Sequence, residues 1–114
     1  MKKVQILVIG RHPEILQTVL RLINKNEAWE GIGTGDDIEA IEFFQKQVFD
    51  IVLIGGGVER ESEAHFRAIF TQHKPTIKIV QHFGGGSGLL LGEIQAALDN
   101  NPLSNIHVLD QINK

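Results

Sequence analysis

Two glycine runs, a few histidines and a pair of adjacent carboxylates are the parts of this chain with chemistry to offer. The runs are "GGG", Gly55–Gly57, and "GGGSG", Gly84–Gly88. Each follows an apolar run of strand length and precedes a helical pattern, so its backbone N–H groups could cradle a phosphate or another anion at a helix N-terminus. Neither run continues into the Gly-Lys-Ser/Thr of a phosphate-binding loop, and neither makes G-x-G-x-x-G after the first apolar run. The plain alternative is a turn that uses glycine's access to positive φ. The anion reading attaches to Gly84, Gly85, Gly86, Ser87 and Gly88, with Arg11 and His12 supplying further donors.

His12 and His82 both fall just beyond strand-like runs, with Asp36, Asp37 and Glu59 in neighbouring loops. A mixed imidazole and carboxylate metal site can be drawn from them, but their spacing matches no ligand motif, and a catalytic metal needs three convergent ligands. No metal is therefore assigned. His65 and His73 read as solvent-facing positions of a helix, and His107 as a packed or edge position of a strand. Asp36 and Asp37 stand where acidic residues cap a helix and meet its dipole, and capping is the preferred reading. Ser62 and Ser87 lack the Gly-x-Ser-x-Gly context of a hydrolase elbow. No nucleophile and base pair emerges, so the chain reads as a non-enzyme without a cofactor.

These residues need a scaffold, and composition bounds it. The 114 residues suit one domain, with 42% hydrophobic and 22% charged residues, ordinary values for a globular chain. A net charge of −3 without a basic run argues against nucleic acid as a partner. Cysteine is absent, which excludes disulfides and thiol chemistry. The opening apolar run is too short for a signal peptide or a membrane span, leaving a cytoplasmic protein as the expectation.

Four runs read as strands: Val4–Ile9, Asp50–Ile54, Ile77–Phe83 and Ile106–Leu109, with Trp29–Thr34 as a weaker fifth. Their lack of strict alternation suits strands buried on both faces. Between them lie helical patterns. One begins at Pro13, with Ile15, Leu16, Val19, Leu20 and Ile23 on its apolar face. The next starts at Asp36 and Asp37, with Ile38, Ile41, Phe44 and Val48 as its stripe. A third covers Arg60–His73 with Phe66, Ile69 and Phe70. The last follows Ser87 as cap, with Leu90, Leu91, Ile94, Ala97 and Leu98 on its buried side. Strict alternation of strand and helix predicts an α/β, doubly wound open parallel sheet of five strands. The chain leaves no room for a fifth helix after the last strand, so one flank of that strand is expected to be uncovered and to seek a partner.

Three stretches carry a resemblance over nearly the whole chain. "ILVIGRHPEILQTVLRLI", "GTGDDIEAIEFFQKQVFDIVLIGGG" and "IKIVQHF" resemble the first strand and helix, the second helix and third strand, and the fourth strand of the receiver domains of two-component response regulators. The resemblance implies a flavodoxin-like fold with strand order 2-1-3-4-5. It also implies an acidic pair for Mg²⁺ after the first strand, a phosphoacceptor Asp ending the third, a Ser or Thr ending the fourth and a Lys ending the fifth. Those positions fall here on Gly10 and Arg11, on Gly55, on His82 or Phe83, and near Asp110. Mg²⁺ needs hard oxygen ligands, and phosphoryl transfer needs both the metal and an acceptor. The expectation is a degenerate receiver, a signalling module that binds a protein partner or a second copy of itself through its fourth helix and fifth strand, independently of phosphorylation. The alternative is a sensor of a small anion or nucleotide at the carboxyl ends of the strands.

Overall fold

In the computed structural model, which describes residues 2–82 and 87–99, the central Val- and Ile-rich runs form the strands β1 (Val4–Ile9) and β3 (Ile51–Gly55). They pair in parallel and are flanked by β2 (Trp29–Thr34) and β4 (Lys78–His82), giving the order β2-β1-β3-β4. Both central strands are buried on both faces, which explains their continuous apolar sequence. β4 is only half-buried over most of its length. The fifth strand expected over Ile106–Leu109, and the expected lack of a fifth helix, lie outside the described residues.

The helices are α1 (Pro13–Asn24), α2 (Asp37–Lys46), α3 (Arg60–His73) and α4 (Ser87–Asp99). Pro13 sits in the first turn of α1, where its missing N–H leaves no intrahelical bond unmade. Asp36 caps α2, accepting a hydrogen bond from the Glu39 N–H at 2.8 Å. On one face of the sheet, Leu7, Ile9, Val52 and Ile54 pack against Ala40 and Phe44 of α2 and Phe66 and Phe70 of α3. On the other, Ile6, Val8, Ile51 and Leu53 pack against Leu16, Val19 and Ile23 of α1 and Leu90 and Ile94 of α4. Gly33 lets α1 come down on the sheet: a Cβ there would lie 2.8 Å from Leu16 Cδ1 and 3.0 Å from the Val8 carbonyl oxygen.

Some expected stripe residues are not buried. Ile15, Ile38 and Val48 are 60%, 69% and 74% exposed. Ile15 lies one helical step, about 100°, round from buried Leu16. Ala40 and Phe44 carry the burial of α2 instead, and Val48 lies beyond its end.

The placement of α4 does not follow the crossover rule that the other helices obey. The sheet grows from β1 to β2 in one direction and from β1 through β3 to β4 in the other. Right-handed connections therefore put α1 on one face and α2 and α3 on the opposite one. A right-handed connection onward to a strand beyond β4 would lie on the α2 and α3 face. α4 packs on the α1 face, in contact with α1 itself.

Candidate functional site

At the carboxyl ends of the strands, where open α/β sheets place ligands, the β1–α1 loop brings Arg11 over the start of α2 and α3. Its guanidinium is the hub of a cluster. Nη1 donates to the Gly35 carbonyl oxygen at 2.7 Å, and Nε and Nη2 donate to Glu59 Oε1 at 3.1 and 2.7 Å. Nη2 also lies 2.7 Å from Asp37 Oδ1 and donates to Ser62 Oγ at 3.2 Å. Ser62 in turn donates to Asp37 Oδ2 at 2.7 Å. One fork thus joins the β2–α2 loop, the first turn of α2 and the start of α3, a set of partners that suits the planar, five-donor group of arginine.

The charges respond to one another. The hydrogen bond to Glu59 is the largest influence on Arg11, raising its pKa against partial burial. Burial of Asp37 works against its charge, but the Ser62 hydroxyl and Arg11 outweigh it and hold the carboxyl below its ordinary value. The Arg11 hydrogen bond and then a backbone N–H lower Glu59 likewise. Glu59 is the residue before α3 but makes no capping bond with its side chain, which turns to Arg11.

This cluster sets an expected outcome. Arg11→Ala should destabilise the fold by about 0.5–1.5 kcal/mol, because it takes the guanidinium from the half-buried Asp37 carboxylate, which keeps only its Ser62 donor. Arg11→Lys should recover only part of this, since a single ammonium cannot span the same partners. The sign of the pH dependence follows from the lowered carboxyl of Asp37. Its contribution is fully present above the ordinary carboxylate range and is lost as pH falls through its depressed folded value. Thermal unfolding should therefore show the gap between the native chain and Arg11→Ala closing below about pH 4.

Asp36 and Asp37, read together as caps, divide: Asp36 caps α2 and Asp37 pairs with Arg11. His12 is exposed at the start of α1. His82 ends β4, is 9% exposed and places Nδ1 2.6 Å from Glu93 Oε1, tying the sheet to α4. His12, His82, Asp36, Asp37 and Glu59 do not converge, and among the described residues no group of three or more metal-ligating side chains does. Gly55 ends β3, and a Cβ there would meet the Ile9 carbonyl oxygen at 3.2 Å. Gly88 is exposed in the first turn of α4 with open space round it. Phe83, Gly84, Gly85, Gly86 and Asp110 lie outside the described residues, as does the side chain of Ser87.

Beside the Arg11 cluster, on the α1 face, opens a cleft of about 360 Å³. Its floor is Val8 and Leu53, its wall Ile15, Leu16 and Val19, and its polar rim includes His12, His82 and the Gly55–Gly57 backbone. Sequence reasoning named Arg11, Asp37, Glu59 and Ser62 separately but not their union. The signal for it was a cation standing among loops that carry carboxylates.

No protein-family model and no curated protein matches the chain. Solved structures do. The RcsB response regulator of Salmonella typhimurium superposes with a TM-score of 0.71 at 15% identity, over 99% of this chain and 69% of that one. The chemotaxis protein CheY4 of Vibrio cholerae gives 0.63 at 17% identity, over 96% and 98%. The signal receiver domain of an HD domain-containing protein from Pseudomonas fluorescens Pf-5 gives 0.64 at 16%, over 81% and 73%. The chain has the receiver fold.

Proposed function

We propose that this chain is a signal-transduction module that uses the receiver fold for protein interaction and works without aspartyl phosphate. The observation that carries the reading is the Arg11 cluster. Where the resemblance implies carboxylates for Mg²⁺ and an acceptor Asp, the chain has Gly10, Arg11 and Gly55, and the guanidinium of Arg11 is held by Asp37, Glu59, Ser62 and the Gly35 carbonyl. A cation bonded there opposes a divalent metal by charge and leaves Asp37 and Glu59 engaged. Catalysis is no part of this proposal. Transmission passes through surfaces instead. α4 is apolar on both sides: Leu90 and Ile94 are buried, while Leu89 is 54% exposed beside exposed Gly92 and Ala96. A second copy of the chain meeting that side is the partner expected from the sequence.

The test is incubation with acetyl phosphate and Mg²⁺ followed by intact mass. No added phosphate is expected, and a gain of about one phosphate overturns the reading. Light scattering over a concentration series checks self-association, and a strict monomer at high concentration removes that part. The small-ligand reading keeps the apolar cleft as its support, but with Arg11 already bonded to four partners. Under it, a nucleotide or phosphorylated metabolite at about 100 times its Kd would stabilise the fold by about 2.7 kcal/mol. No thermal shift is the outcome expected here.

A further inference from the structure

At the opposite end of the sheet from Arg11, the amino ends of the strands surround a cleft of about 530 Å³ that collects Lys2, Lys3, Lys74 and Lys78, four of the seven lysines in the chain. Among the described residues a single carboxylate, Asp50, shares it. This is a concentration of positive charge on a molecule whose net charge is −3. Lys74 donates to the Phe49 carbonyl oxygen at 2.5 Å, which fixes its ammonium at the rim without cancelling its charge. Asp50 accepts a hydrogen bond from the Gln5 N–H at 2.9 Å, so it serves the sheet. Among the described residues, Lys2, Lys3 and Lys78 have no ion-pair partner, whereas Arg11 at the other end of the sheet is paired with two carboxylates.

Apolar surface lies in the same cleft. Val48 is 74% exposed there, and Leu98 of α4 forms part of the lining. Lysine ammoniums are compact point charges and lack the fork that matches phosphate in two places. Among the described residues no aromatic side chain lines the cleft on which a base could stack. The overall negative charge also repels a long polyanion.

We propose that this cleft docks an extended acidic segment of a partner protein, with an apolar side chain set between its carboxylates. Lys3 stands just before β1, Asp50 just before β3 and Lys78 at the start of β4. The two lysines thus flank the aspartate across two strand spacings, about 10 Å. Residues two apart in an extended chain share a face, and four residues span about 13 Å, a distance that flexible lysine and glutamate side chains close from both ends. Carboxylates four positions apart therefore meet the two lysines, and the residue midway between them, on the same face, must be uncharged because it faces Asp50 and the apolar surface of Val48 and Leu98. This site stands apart from the Arg11 cluster, so its failure would leave the phosphorylation-independent reading untouched.

The probe is the peptide Gly-Glu-Ser-Leu-Ser-Glu-Gly, titrated into the full ¹⁵N-labelled chain. Saturable shifts at the amides of Lys3, Asp50 and Lys78 are expected, weakening as salt rises. Lys3→Glu and Lys78→Glu should each weaken binding about tenfold or more by turning attraction into repulsion. Arg60→Glu, an exposed change at the start of α3 at the far end of the sheet, should leave it unchanged. The proposal is overturned by an absence of shifts in the full chain. It is equally overturned if the lysine variants keep native affinity, or if tripolyphosphate or duplex DNA shifts these amides while the peptide does not.

Discussion

Phe70→Ala should cost the fold about 3–5 kcal/mol, the largest effect expected of any single truncation here. Phe70 is fully buried on the α2 and α3 face, with its ring stacked on Phe44 at a centroid distance of 4.2 Å and on Phe66 at 5.5 Å. Phe44 in turn stacks on Phe49 at 6.2 Å, so the Phe70 ring closes a stack that runs from α3 through α2 to the approach to β3. Removing it deletes the transfer free energy of a phenyl group and leaves a cavity that its rigid neighbours cannot close. Domains of this size hold only about 5–15 kcal/mol in all. The midpoint of thermal unfolding should therefore fall by more than about 12 °C. A fall of only a few degrees would mean that α3 does not close this face of the sheet.

Ile94→Ala should cost about 2–5 kcal/mol, although Ile94 lies on the last described helix. Ile94 is fully buried with Leu90 against the α1 face, and His82 is tied by Glu93 to the same helix. Leu89→Ala, on the outer side of α4, should stay within about 0.5 kcal/mol in the isolated chain, as exposed substitutions do. The contrast between the two reports which side of α4 is packed, and denaturant unfolding measures both. Because Phe70 and Ile94 lie on opposite faces of the sheet, the double variant should lose the sum of the two single losses to within about 0.5 kcal/mol. Equal, small effects at Leu89 and Ile94 would place α4 off the sheet and remove its outer side as a defined contact surface.

The regular elements were legible because burial writes a period into the chain. β1, β2 and α3 have the limits expected from their apolar runs and caps. Pro13 marks a helix start, as a residue with no N–H to lose should. The stripes were less legible at their edges: Ile15, Ile38 and Val48 are apolar yet exposed, since hydrophobicity alone does not say how wide a buried stripe is. Of the candidate site, Arg11 was legible as an inverted charge at the end of β1. Its binding by Glu59 was not, because the two lie 48 positions apart and meet only where three loops converge.

By itself, then, the sequence determined the alternation of strand and helix, the parallel buried sheet and the change of residue type at Gly10, Arg11 and Gly55. These follow from side-chain chemistry and local periodicity, which act over a few neighbouring residues. Only the tertiary structure decided that Arg11 is locked by two carboxylates, that lysines collect at the far end of the sheet, and that α4 lies beside α1. A helix with leucines at positions 89, 90 and 91 has apolar groups pointing several ways, and its own period cannot choose between two apolar faces of a sheet. That choice is made by the shape left between α1 and β4, which exists only once the chain has folded.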